Sequence, residues 1–173
     1  MLIPQAPSEK DELPLLSGKI EFHLREKGWR LIDKLDQGKI IYHHWLNKGH
    51  YVKLSFFYNE SQEEAAKRLQ KDIAQIRTEF GQGSKAEGIG DEAYVWEGTK
   101  NGQSLVNFRY GRVIVAVVGQ SIDEVKDFAK RVASVIERGA VTWAPPNNRF
   151  DRSAVIDVRM IKPVPLAPGQ PRR

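Results

Sequence analysis

The stretch from Glu92 to Gly139 constrains this chain more than any other. It carries strand signals over Glu92–Glu97 and Ser104–Tyr110, a turn at Gly111, and a β-branched strand over Arg112–Val118, the most apolar run in the sequence. The period then changes from 2 to 3.6: Val125, Phe128, Ala129, Val132, Val135 and Ile136 fall on one side of a helix. Ser121-Ile122-Asp123-Glu124 has the Ser-x-x-Glu form of a capping box, and Gly139 supplies a left-handed stop. Antiparallel strands followed by an amphipathic helix place that helix on the sheet, which selects the α+β class.

The first half follows the same plan more loosely. Trp29–Leu35 is turned by Asp36-Gln37-Gly38, and Lys39–Leu46 is turned by Asn47-Lys48-Gly49. Tyr51–Tyr58 then puts Val52, Leu54, Phe56 and Tyr58 on one face. Ser61-Gln62-Glu63-Glu64 opens a second capped helix with Ala65, Leu69, Ile73 and Ile76 as its stripe and Lys67, Arg68, Lys71 and Asp72 outside. The Gly-rich segment Phe80–Asp91 joins the halves. The expected fold is a two-layer α+β sandwich: β-β-β-α duplicated, about six mostly antiparallel strands, and both helices on one face. The alternative is that strand–strand–helix recurs by chance.

In 173 residues this makes one domain with extensions. Residues 1–19 hold Pro4, Pro7 and Pro14 and read as an extended segment anchored by Leu13, Leu15 and Leu16. Ile20–Glu26 fits a short helix or a strand equally. Residues 20–146 make the domain, ending at Val141, Trp143 and Pro145-Pro146, and residues 147–173 make a basic, Pro-rich tail with a lone strand candidate over Ala154–Ile161. The tail holds Arg149, Arg152, Arg159, Lys162, Arg172 and Arg173 against Asp151 and Asp157, a net +4 of the chain's +5. A basic face on the folded part is therefore not expected, which argues against nucleic acid as a partner.

There is no cysteine, so disulfides and thiolate metal sites are excluded. No apolar run approaches the ~20 residues that span a bilayer. Met1–Pro14 lacks the basic-then-apolar order of a signal peptide. The expected compartment is the envelope if Met1 replaces a cleaved leader, and the cytoplasm otherwise.

Catalytic signals are weak. His43 and His44 are strand neighbours and point to opposite faces, and pairing His44 with His50 across the hairpin still lacks a third ligand, so neither a metal nor a cofactor is expected. Gly88-Ile89-Gly90-Asp91-Glu92 enters a strand rather than opening a helix, so it is a strand-entry turn and not a phosphate loop. No nucleophile motif stands beside Ser84, Ser104 or Ser134, and no catalytic residue is assigned.

Docking signals are stronger. In the simplest register Ile41 and Trp45 share a strand face with Tyr51 and Phe57, and a two-layer fold leaves that face to solvent. These four residues, with Arg159, Lys162, Arg172 and Arg173 of the tail, are the candidate partner-binding set; the opposing reading is that the N-terminal segment or the tail covers the face. The partner expected is a protein or a larger assembly, with peripheral contact to anionic lipid through the tail as a further option.

Gly88-Ile89-Gly90-Asp91-Glu92-Ala93-Tyr94, followed by Phe108-Arg109-Tyr110-Gly111-Arg112-Val113-Ile114-Val115 and Gly119-Gln120-Ser121, resembles a pattern in uncharacterised bacterial exported or envelope-associated α+β domains. The resemblance covers about residues 88–136 and implies a non-enzymatic, extracytoplasmic module. The functional expectation is a non-catalytic interaction module acting as an accessory or assembly subunit. The alternative is a small-ligand or lipid carrier of the bacterial envelope, with Val113, Val115, Phe128 and Val132 lining its cavity.

Overall fold

A computed structural model describes residues 9–99 and 101–139. They form α1 (Glu9–Glu26), β1 (Arg30–Asp36), β2 (Ile40–Asn47), β3 (His50–Tyr58), α2 (Gln62–Phe80), β4 (Ser84–Ala86), β5 (Glu92–Trp96), β6 (Ser104–Tyr110), β7 (Val113–Gly119) and α3 (Ile122–Gly139). The seven strands make one antiparallel sheet in the order β1-β2-β3-β7-β6-β5-β4. The α+β class and the antiparallel sheet are as expected from sequence; the layering is not.

The central strand β7 explains the difference. All seven of its residues are buried. Val113, Val115 and Val117 join the core under α1 and α3, while Ile114, Ala116 and Val118 join a second core under α2. Helices therefore lie on both faces, in three layers, and the expectation of two helices on one side is corrected. A strand covered on both faces has no reason to alternate, which is why Val113–Val118 is continuously apolar.

The duplication also fails. β3 and β7 are antiparallel neighbours, so a two-fold relating them runs perpendicular to the sheet and would keep α2 and α3 on one face. The second half moreover has four strands, because Ser84–Ala86 in the Gly-rich linker pairs with β5 at the far edge.

The N-terminal expectation is corrected as well. Residues from Glu9 onward are helical, not extended, and Ile20–Glu26 forms the last turns of the same helix. Leu13, Leu16, Ile20 and Leu24 recur at helical spacing and are buried, which holds the helix on the sheet despite Pro14. Leu15, grouped with the anchors, points outward. The Ser61 cap acts as expected, Ser61 Oγ accepting from the Glu64 N–H at 3.1 Å; Gly81, at the start of the linker, ends α2 with its N–H on the Arg77 carbonyl. The expected tail features, Ala154–Ile161, Arg159, Lys162, Arg172 and Arg173 included, lie outside the described residues.

Candidate docking face

The β2–β3 turn decides what each side of this half-sheet presents. Asn47 pairs with His50, leaving the two-residue loop Lys48-Gly49 with φ of 49° and 86°. Positive φ at both positions is the type I′ geometry that matches strand twist. It sets Trp45 opposite Val52 and Ile41 opposite Phe56. Ile41, His43 and Trp45 therefore share a face with Val52, Leu54 and Phe56, under α1 and α3, and all are fully buried. Ile41 and Trp45 are core residues, and their assignment to a docking face is corrected: the sequence reading placed them one register step away.

Tyr51 and Phe57 do lie on the opposite face, each half-buried. Their neighbours there are Ile40, Tyr42, His44 and Leu46 of β2 and Leu35 of β1, which pairs with Tyr42. A register shift between Leu31 and Asp33 sets Ile32 off the ladder. Ile32 and Leu35 are 49% and 51% exposed, high for large aliphatic side chains. On this side α2 packs mainly on β6 and β7, with Arg68 and Asp72 reaching the edge formed by Ile40, Tyr42, Ser55 and Phe57, and none of the described helices packs extensively over the rest of β1 and β2.

Where α2 meets this open half, the border is polar. Arg68 lies over the Phe57 ring at 4.6 Å, and its Nε is 3.7 Å from Asp72 Oδ1. Asp72 is buried, not on the outer face of α2: positions 65, 69, 72 and 76 share one side of the helix. Its Oδ2 has no hydrogen-bond partner among the described residues. Burial pushes its carboxyl up to about 6, against the pull of Arg68 and Lys71. A small crevice opens beside it, walled by Tyr42, Ser55, Phe57 and Ala116. The same desolvation lowers Lys53 from its ordinary value; His44 is lowered first by burial and then by Lys53, with Asp33 opposing.

The remaining candidates take structural roles. Asp91 braces the β6–β7 turn, accepting from the Gly111 N–H at 2.7 Å and from Arg109 Nη1 at 3.0 Å. His50 Nδ1 meets Glu124 Oε1 at 3.4 Å, and among the described residues no cluster of three His, Asp or Glu side chains is placed to hold a metal. Val113, Val115, Phe128 and Val132, the suggested carrier lining, are packed core. A larger hollow of about 560 Å³ lies at the β4 edge, where Lys85, Lys126 and Lys130 mix with Glu87 and Glu97.

Sequence reasoning missed Leu35, Tyr42 and Asp72. The two-residue Lys48-Gly49 turn was the signal for the first two, since its length sets the parity of strand pairing.

No protein-family model matches this sequence, and no curated protein matches it. Among solved structures, a GTP binding regulator from Thermotoga maritima is similar at a TM-score of 0.49 and 18% identity, over 71% of this chain and 87% of that one.

Proposed function

We propose that this chain is a non-catalytic interaction module, an accessory or assembly subunit, that docks through the open half-sheet of β1–β3. One observation carries the reading: α2 lies mainly over β6 and β7, so Leu35, Ile40, Tyr42, Leu46 and Tyr51 form a largely apolar face around His44 and Lys53, edged by Phe57 under Arg68 of α2. Antiparallel sheets normally show polar side chains on a solvated side. A contiguous apolar patch marks a contact surface instead. The occupant is a partner protein with an apolar surface, and Arg68 at the border favours an acidic group at its rim. The sequence resemblance supports placing this assembly at the bacterial envelope.

The test is site-specific photocrosslinking of the full chain in an extract of its native cells. A crosslinker at Leu35 or Phe57 is expected to give one defined protein adduct, and the same group at Asp127 on α3 none. Equal adducts at all three sites would overturn the reading. So would a crosslink from Leu35 or Phe57 into residues 140–173 of the same chain.

A further inference from the structure

α1 closes the other side of this half-sheet, and a histidine stands at each of its contacts. Beneath the helix, Ser17 Oγ and His43 Nε2 are 2.9 Å apart, and both residues are fully buried. The His43 ring stands edge-on to Trp45 and Phe56 at 5.5 and 5.2 Å. Its Nδ1 has no partner among the described residues. A neutral imidazole tolerates this, because one nitrogen carries no hydrogen. An imidazolium does not: its Nδ1–H would be a charged, buried donor without an acceptor.

The charged and titratable groups around His43 do not relieve that cost. From β1, Lys34 pairs with His43; on β2, His44 is its neighbour; β3 contributes only the apolar Val52, Leu54 and Phe56 to this face. From α1, Glu21 is already bonded to Arg25 at 2.7 Å and lies 3.8 Å from Lys34. Burial, then Lys34 and His44, hold the imidazole down at about 4, against 6.5 when free. The docked helix thus favours neutral His43: its attachment is strongest above pH 6.5 and weakens as pH falls toward 4. At the second contact His23 of α1 is lowered by burial and by Arg138, Lys27 and Arg131, with Glu26 opposing, so a proton there adds charge beside the arginines of α3.

Apart from Ser17, α1 is held by one apolar stripe, Leu13, Leu16, Ile20 and Leu24, beside the buried Glu12, and its interior carries the poor helix formers Pro14 and Gly18. The chain leaves it through the short turn Lys27-Gly28 into β1. α3 also packs on β6 and β7, and α2 packs on the other side of the same strands, so both have sheet contacts that do not involve α1.

We propose that α1 is an acid-released cover: protonation of His43 beneath it and of its own His23 frees the helix while the sheet, α2 and α3 stay together, baring Ile41 and His43.

Hydrogen exchange of the full chain, read by segment and corrected for the chemical pH dependence of exchange, tests this. Between about pH 7.5 and about pH 4.5, opening of the α1 amides is expected to rise on the order of fifty-fold, with β3 and β7 unchanged. His43→Phe should remove most of that rise, and His23→Gln a smaller part. Simultaneous opening of α1 and β7, or an α1 indifferent to acid, would overturn the proposal in the unsubstituted protein, even if His43→Phe fails to fold. A full acid response in a folded His43→Phe variant would overturn it too.

Discussion

Asp91 holds Arg109 through a 3.0 Å ion pair, and the same carboxylate oxygen takes the Gly111 N–H. The backbone completes the clasp, with the Asp91 N–H donating to the Arg109 carbonyl at 2.8 Å. Gly-Asp-Glu-Ala and Phe-Arg-Tyr-Gly, set apart in sequence, are therefore two halves of one device that fixes β5 to the β6–β7 turn. Asp91→Ala should cost about 1–2 kcal/mol, since it removes two hydrogen bonds to a charged acceptor. Urea unfolding of the full chain measures it, and Asp91→Asn should recover part of the loss.

Gly90 is fixed more strictly than its neighbour in charge. It has φ of 59°, and a Cβ there would stand 2.4 Å from the Arg109 carbonyl oxygen. Gly98 has nearly the same φ, 57°, and open space around it. Gly98→Ala should cost only the backbone strain of about 1–2 kcal/mol. Gly90→Ala adds a clash with backbone that cannot yield, so its thermal midpoint should fall well below that of Gly98→Ala.

Trp45 and Leu35 sit on opposite faces of the same half-sheet and should respond oppositely. Trp45 is fully buried, and Trp45→Ala should cost about 3–5 kcal/mol. Leu35 is half exposed, and Leu35→Ser should stay within about 0.5 kcal/mol of the parent. Chemical denaturation of the two variants side by side checks the assignment of faces.

Asp72 gives a pH signature of unusual sign. Its carboxyl rises from 3.8 to about 6 on folding, so the folded state holds a proton that the unfolded chain has released. The charged side chain then weakens the fold above about pH 6, and this penalty fades as pH falls toward 3.8. Asp72→Asn should therefore be more stable than the parent by about 1–2 kcal/mol near neutral pH, after allowing for the lost Arg68 partner. The advantage should vanish near pH 4, where both carry an uncharged side chain.

Local chemistry was legible where one short segment decides the outcome. The Ser61 cap, the β6–β7 turn and the apolar stripes of α2 and α3 follow from residue type and spacing alone. What required the structure was parity and side. Ile41 and Trp45 moved from open face to core because a two-residue loop, not a longer one, joins β2 to β3. α2 moved to the other face although Val113–Val118, with no polar residue on either side, already implied cover on both. α1 was hidden by Pro14, whose missing N–H interrupts a helix that tertiary burial of Leu13, Leu16, Ile20 and Leu24 restores.

The most direct measurement is the double substitution Leu35→Ser/Phe57→Ser, read in two ways on the same sample. The expected result is a folded double variant whose thermal midpoint falls only modestly, for the lost Phe57–Arg68 contact, together with loss of the partner adduct that a crosslinker at Tyr51 captures in the parent. A double variant that unfolds, or one that keeps the adduct at the parent's yield, would contradict docking through the open half-sheet.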